Sequence, residues 1–121
     1  MHTSLKRKTT LVTGVTSGIG REIAQLLAER GARVFGTVRN PQSASPIPGV
    51  EIVRMEVTDD ASVNEAVQSI EQKAGPVQLL VNNAGYSTTG ALEETSIEEA
   101  KQQFETNFFG VLRVTNAVLA G

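Results

Sequence analysis

The stretch TGVTSGIG at residues 13–20 decides the fold of this chain. It follows a short apolar segment at 9–12 and opens an amphipathic one, so it is predicted to join a strand to a helix. In that position Gly14 allows a sharp turn, Gly18 allows close approach of a pyrophosphate, and Gly20 allows the helix to pack closely on the sheet. The N-terminus of a helix carries unpaired N–H groups and a partial positive charge, which favour an anion. The sequence therefore predicts a dinucleotide site, although turns without a ligand also collect glycine.

Strands and helices alternate along the rest of the chain. After the strand at 9–12, the predicted elements are a helix at 18–30, a strand at 33–38, a proline-rich loop at 40–49, a strand at 50–55, a helix capped by Asp59, a strand at 77–81 and a long helix capped by Ser96 and Glu99. Because such alternation implies right-handed crossovers, the sequence predicts an α/β fold, a Rossmann-type doubly wound parallel sheet with strand order 3-2-1-4. The strand at 77–81 is apolar at most positions and is therefore expected to be buried on both faces.

Four candidate site positions follow the four predicted strands. Gly14 follows the first strand and Arg39 the second, whereas Glu56 follows the third and Asn83 the fourth. In a doubly wound sheet, ligands bind beyond the carboxyl ends of the strands where the strand order reverses, here between strands 1 and 4. We therefore expect one nucleotide to cross this edge and to meet all four positions.

The residues after the second strand indicate which nicotinamide coenzyme is bound. Sites for NAD(H) usually have an acidic residue about 20 positions past the glycines, which binds the ribose 2′-hydroxyl. Residues 37–40 read TVRN and contain no acid. Arg39 can instead bind a 2′-phosphate, which favours NADP(H) over NAD(H). The alternative is that Arg39 is a solvated surface arginine.

Composition excludes several classes of function. The chain has 121 residues, a formal net charge of −2 and no cysteine. Its mixed charges without a basic stripe argue against a nucleic-acid partner, and no apolar stretch reaches the length of a membrane span. The lack of cysteine excludes disulfides and thiolate metal sites and, with no secretory signal, favours a cytoplasmic location. The only histidine, His2, lies in a polar tail, so we expect from it no catalytic role, and we expect no metal site.

Three motifs together resemble those of one family. The glycines at 14, 18 and 20 have the spacing of TGxxxGIG, residues 82–85 read NNAG, and residues 107–110 match N-x-x-G. In this order the motifs resemble those of the short-chain dehydrogenase/reductase family, over about residues 9–119. The resemblance implies an enzyme that transfers hydride between NADP(H) and a carbonyl or alcohol carbon of a small-molecule substrate.

The resemblance also places particular residues at the coenzyme. They are Gly14, Thr16, Ser17, Gly18, Ile19, Gly20, Arg39, Glu56, Val57, Asn83, Ala84 and Gly85. Within that set, Glu56 is expected to contact the adenine amino group and Asn83 to fix its loop. Asp59, nearby, is predicted to cap a helix rather than to bind the coenzyme.

Asn107 is the catalytic candidate. The last helix has a predicted apolar face, composed of Ala100, Phe104, Phe108, Val111, Leu112, Thr115 and Leu119. Asn107 is predicted on or beside this face, and the resemblance makes it the asparagine of a catalytic tetrad that holds a water and locally disturbs the helix. The alternative is a core amide whose hydrogen bonds are satisfied. The same helix commonly forms a dimer interface in the family, so a homo-oligomer is expected.

The chain departs from the family pattern at several points. Ser17 stands where NADP(H)-dependent members often have a basic residue, and Gln78 stands where aspartate is common. The family's Y-x-x-x-K is absent, since the only tyrosine, Tyr86, is followed four positions later by Gly90. We therefore expect residues 1–121 to be a single partial NAD(P)-binding domain, the N-terminal fragment of an oxidoreductase, inactive alone. The alternative is a non-catalytic nucleotide-binding fragment or a truncated gene remnant.

Overall fold

The computed structural model of the chain describes residues 5–16, 18–83 and 96–120. In these ranges the elements are β1 (Thr9–Val12), α1 (Gly18–Glu29), β2 (Arg33–Val38), a 3₁₀ turn (Pro41–Ser43), β3 (Val50–Arg54), α2 (Asp60–Ala74), β4 (Leu79–Val81), α3 (Ile97–Phe104), a π-helical segment (Glu105–Phe109) and α4 (Gly110–Ala120). The strands pair in parallel in the order β3-β2-β1-β4. This order confirms the predicted α/β fold and sheet topology.

Helices cover both faces of the central strands. Leu11 and Phe35, which pair across β1 and β2, lie on one face in a cluster that includes residues of α2 and α4. Val12 and Val34 lie in a second cluster, which includes residues of α1. All four side chains are at most 2% exposed, as expected for strands of a parallel sheet. The two clusters fix the register of β1 and β2, and this register sets the level at which their carboxyl ends emerge.

Polar caps fix where α2 and α3 begin, as the sequence predicts. The carboxylate of Asp59 accepts hydrogen bonds from the backbone N–H groups of Ala61, at 2.9 Å, and Ser62, at 3.3 Å. Similarly, Ser96 Oγ accepts a hydrogen bond from the N–H of Glu99, at 3.0 Å. Each bond satisfies an N–H group that the first turn of a helix leaves without an intrahelical partner.

The fourth strand is shorter and less buried than predicted. Its observed range is Leu79–Val81, and all three of its residues are half-buried. Within the described sheet β4 pairs with β1 alone, so no neighbouring strand covers its other edge. Immediately before β4, Gln78 pairs with Thr9: Gln78 Oε1 accepts from the Thr9 N–H, at 3.1 Å, and the Gln78 N–H donates to the Thr9 carbonyl oxygen, at 2.8 Å. The departure from the family pattern at position 78 thus gives β1 and β4 an additional side-chain link.

The last predicted helix is interrupted, and part of its predicted apolar face is exposed. The π-helical segment separates α3 from α4. A π turn closes i→i+5 bonds, so it rotates the following helix, and a face drawn with a single 3.6-residue period does not continue through it. Of the predicted face, Phe108, Leu112 and Leu119 are 49%, 43% and 78% exposed, whereas Val114, which lies off that face, is buried. Two other side chains of the predicted face, Ala100 and Phe104, are outside the described part of the structure.

Candidate nucleotide-binding site

The glycine-rich loop leaves β1 and is anchored on the end of β2. Gly14 has a φ of 72°, a left-handed conformation that glycine tolerates. The N–H groups of Gly14 and Val15 both donate to the carbonyl oxygen of Thr37, at 3.1 and 3.0 Å. Gly18 has a φ of 65°, and a side chain there would meet no described atom within 4 Å. The Cβ direction of Gly18 is therefore open, at the first turn of a helix whose N–H groups lack intrahelical partners.

Asn83 holds this loop against the end of β4. Its Nδ2 donates to the carbonyl oxygen of Gly14, at 3.0 Å, and its backbone N–H donates to Oγ1 of the buried Thr13, at 2.9 Å. A side chain at Gly20 would collide with both the Gly14 oxygen and Asn83 Nδ2. The close packing predicted for Gly20 is therefore present. Gly20 packs against the Gly14 carbonyl oxygen and Asn83 Nδ2, which are hydrogen-bonded to each other.

Arg39 follows β2 and is exposed. In the described part of the chain its guanidinium has no hydrogen-bond or ion-pair partner, so all its donors are available. The next residue, Asn40, ends the strand, because its side-chain oxygen accepts a hydrogen bond from the N–H of Gln42, at 3.2 Å, and starts the 3₁₀ turn. The chain thus turns away immediately after Arg39, which leaves this cation at the carboxyl edge of the sheet.

The loop after β3 presents a carboxylate that is partly engaged. Glu56 Oε1 accepts hydrogen bonds from Thr58, from its Oγ1 at 2.9 Å and from its N–H at 3.4 Å. The backbone N–H of Glu56 in turn donates to Ser62 Oγ, at 2.8 Å, which ties the loop to α2. Val57, between Glu56 and Thr58, is 7% exposed. Because both bonds from Thr58 use Oε1, the other carboxylate oxygen of Glu56 is left to accept a further donor.

The ends of the four strands line one groove of about 880 Å³. The predicted site residues that the structure brings together on its wall are Gly14, Thr16, Arg39, Glu56, Val57 and Asn83. Gly18, Ile19 and Gly20 form the first turn of α1, and the Ile19 side chain is 70% exposed there. The predicted site residues outside the described part of the chain are Ser17, Ala84 and Gly85, as is Tyr86.

A further wall of the groove was missed by the sequence reasoning. It is contributed by α3 and the π-helical segment, with Glu98, Lys101, Gln102, Glu105 and Thr106. Positions 98, 101, 102 and 105 recur at i, i+3, i+4 and i+7, so their location on one helix face was readable in the sequence.

Within residues 5–16, 18–83 and 96–120, every helix is too short or too polar to span a bilayer. The same ranges contain no cluster of three or more histidine, cysteine, aspartate or glutamate side chains that could bind a metal ion.

A family model described as short chain dehydrogenase matches residues 8–121. The chain belongs to the short-chain dehydrogenase family. The 3-ketodihydrosphingosine reductase of Bacteroides thetaiotaomicron is 43% identical over 109 residues, which are 90% of this chain and 40% of that reductase. The 3-oxoacyl-acyl-carrier-protein reductase of Escherichia coli is 38% identical over 117 residues, which are 93% of this chain and 48% of that enzyme.

The likeness to short-chain dehydrogenases extends to solved structures. A variant of the actinorhodin polyketide ketoreductase with NADPH superposes with a TM-score of 0.80 at 35% sequence identity. The match covers 91% of this chain and 45% of that ketoreductase. The chain thus spans less than half the length of each of the two curated reductases named above.

In this short-chain dehydrogenase sequence, Asn107 lies in the π-helical segment and is exposed. A π turn replaces part of the regular helical hydrogen-bond ladder and is frequent at functional sites. The interruption agrees with the local helix disturbance that the family resemblance implies at this asparagine. The residue is exposed in this structure, and its role stays a prediction.

Arg113, which the sequence reasoning also missed, connects two walls of the groove. Its Nε donates to Asp60 Oδ1, at 2.6 Å, its Nη1 donates to the Val57 carbonyl oxygen, at 3.3 Å, and its Nη2 lies 2.5 Å from Glu105 Oε1. The hydrogen bond with Glu105 is the main cause that raises the pKa of Arg113; burial opposes it, and the bond with Asp60 adds to it. The guanidinium is therefore charged throughout the physiological pH range.

Proposed function

We propose that the protein is an NADP(H)-dependent oxidoreductase that interconverts a carbonyl and an alcohol in a small-molecule substrate. The observation that carries the proposal is the groove at the carboxyl edge of the sheet, which is lined by the glycine-rich loop and by residues that follow the other three strands, in a chain of the short-chain dehydrogenase family. When bound, the nicotinamide coenzyme would supply or accept the hydride. The residues of this chain would bind it, orient it and position water.

The chain offers a dinucleotide two direct contacts, and a third residue supports the loop between them. The open space in front of Gly18 can receive a pyrophosphate at the first turn of α1. The free carboxylate oxygen of Glu56 can accept a hydrogen bond from the adenine amino group, while the apolar Val57 lines the same wall. Asn83 would act on the coenzyme indirectly, since its side chain is engaged with the loop.

Arg39 supports NADP(H) over NAD(H). Its guanidinium is exposed, lines the groove and has no partner in the described part of the chain. A charge-assisted hydrogen bond to a phosphate contributes about 1.5–3 kcal/mol. No acidic residue at 37–40 is present to bind a 2′-hydroxyl or to repel a 2′-phosphate.

We assign Asn107 to proton transfer. It lies in the π-helical segment, and its side-chain amide is of a type that can help to position a water. Residues 1–121 contain no Y-x-x-x-K, so we do not expect turnover from these residues alone. A cytoplasmic location and a homo-oligomer remain predictions that accompany this function.

Titration with the two coenzymes tests the proposal. The protein contains no tryptophan, so the fluorescence of NADPH and NADH can be followed without overlap from tryptophan emission. We expect saturable binding of both coenzymes, with the tighter binding for NADPH, and stronger competition by adenosine 2′,5′-bisphosphate than by adenosine 5′-monophosphate. A folded sample that bound neither coenzyme would refute the proposed function. Binding of NADPH by the full-length protein without turnover of any carbonyl or alcohol in a broad panel would favour the non-catalytic alternative.

A further inference from the structure

Two segments that line the groove and are distant in sequence are linked by a residue outside the groove. The loop at 56–58 follows β3, and the π-helical segment carries Asn107. Arg113, in the first turn of α4, lies between them and is 25% exposed. Three of its donors engage three acceptors: one on the loop, one at the start of α2 and one at the start of the π-helical segment.

A second contact joins the same two parts. Gly110, where the π-helical segment ends and α4 begins, is buried. A Cβ atom on Gly110 would lie 2.9 Å from Cγ2 of Val57, so α4 approaches the loop more closely than a residue with a side chain would allow. The Val57 side chain therefore packs against the backbone of Gly110, and the Val57 carbonyl oxygen accepts a hydrogen bond from the Arg113 guanidinium. These two contacts make the loop and the start of α4 a single packed unit.

We propose that Arg113 is a positioning residue that couples the adenosine end of the groove to the π-helical segment carrying Asn107. Arg113 does not line the groove, whereas Val57 and Glu105, which it contacts, both do. It therefore acts on a ligand through these neighbours. The nature of that ligand rests on the proposed function, but the coupling between the two segments is a property of the chain itself.

The chemistry of the guanidinium suits this role. A planar fork can donate to three acceptors that lie in different directions, whereas the ammonium of lysine is a compact charge and cannot reach all of them. The guanidinium also neutralises Glu105, a carboxylate on the wall of a groove proposed to receive phosphates. Loss of Arg113 should therefore loosen the loop at 56–58 and the π-helical segment together.

Hydrogen–deuterium exchange and ligand binding on the full chain test this proposal. In Arg113→Met without ligand, we expect faster amide exchange at both 56–59 and 105–110. The affinity for adenosine 2′,5′-bisphosphate, measured by calorimetry, should fall about three- to tenfold, as found for residues that act on a site through a neighbour. The matched control is Lys73→Met, which removes one charge and one ion pair, that with Glu51, away from the groove. It should change neither measurement.

Two further variants separate the connection from its charge. Arg113→Lys should give an affinity between those of the unaltered protein and Arg113→Met. If Arg113→Met fails to fold, Arg113→Lys replaces it in the comparison with the unaltered protein. Adding Glu105→Gln to Arg113→Met should weaken binding no further, because the connection is already lost. A return to wild-type affinity in that double variant would show that the bare charge of Glu105 was the cause, and would overturn the proposal.

The failures of the two proposals can be told apart. If the unaltered protein does not bind adenosine 2′,5′-bisphosphate, the proposed function fails, and the exchange data alone decide the coupling. If the unaltered protein binds the probe and Arg113→Met binds it equally well, the coupling is refuted. Faster exchange in only one of the two segments would refute it as well.

Discussion

Replacement of Gly20 by alanine tests the packing between the glycine-rich loop, α1 and β4. Gly20 is the third residue of α1, and a Cβ atom there would overlap the Gly14 carbonyl oxygen and Asn83 Nδ2. Neither group can move freely, because Gly14 is hydrogen-bonded to Thr37 and Asn83 to Thr13. The added methyl group must therefore displace the first turn of α1 or break the bond between Asn83 and Gly14.

Three contributions set the size of the effect. Overpacking costs about 1–3 kcal/mol, and the loss of the hydrogen bond between Asn83 and Gly14 costs about 0.5–1.5 kcal/mol. The higher helix propensity of alanine offsets at most about 1 kcal/mol of this. We expect the free energy of unfolding to fall by about 2 kcal/mol, which for a domain of this size lowers the melting temperature by roughly 6–10 °C.

Urea unfolding followed by far-UV circular dichroism measures this loss. The control is Gly75→Ala at the C-terminus of α2, where φ is 81° and an added Cβ atom would meet no described atom within 4 Å. That variant is strained only in its backbone and should lose about 1 kcal/mol. If Gly20→Ala were as stable as the unaltered protein, the loop could not be packed tightly against α1 and the end of β4.

Three other substitutions test the coenzyme contact, the N-terminal cap of α2 and the exposed apolar side chains of α4. Arg39→Ala should weaken NADPH binding about ten- to a hundredfold and leave NADH binding nearly unchanged, since it removes a charge-assisted bond. Fluorescence titration measures both affinities, and the control is Arg30→Ala, which removes an exposed arginine just after the C-terminus of α1. Equal losses for both coenzymes would count against the NADP(H) assignment. Asp59→Ala should lower the free energy of unfolding by about 1 kcal/mol in urea, because two N–H groups of α2 lose their acceptor; unchanged stability would show that the cap is dispensable. Leu112→Glu should reduce self-association in sedimentation velocity, since it places a charge on an exposed apolar side chain of α4; an unchanged distribution would argue against oligomerisation through this face.

The strand order and the helix starts could be predicted because they depend on local chemistry. Asp59 and Ser96 cap helices through bonds to residues two or three positions away, which the sequence displays directly. The glycine pattern at 14, 18 and 20 likewise predicts a strand, a tight turn and a helix in that order. Once the alternation is established, the handedness of the crossovers leaves few topologies for the sheet.

The features that could not be predicted depend on contacts across the fold. Arg113 is the one charged residue of α4, but only the tertiary structure brings its guanidinium to Asp60 and Glu105. The π-helical segment has no turn residue before it, so a single helical period does not predict the rotation between α3 and α4. The partial burial of β4 follows from its position at the end of the described sheet, which its apolar sequence does not reveal.

The anchorage on Thr37 has a consequence for redesign of coenzyme preference. Its carbonyl oxygen receives two N–H groups of the glycine-rich loop, and its side chain is 1% exposed. The position of the loop is thus set two residues before Arg39 and does not depend on the side chains that come after. Substitutions confined to residues 39 and 40 should therefore change the preference between a ribose 2′-hydroxyl and a 2′-phosphate. The glycine-rich loop proposed to bind the diphosphate should keep its conformation.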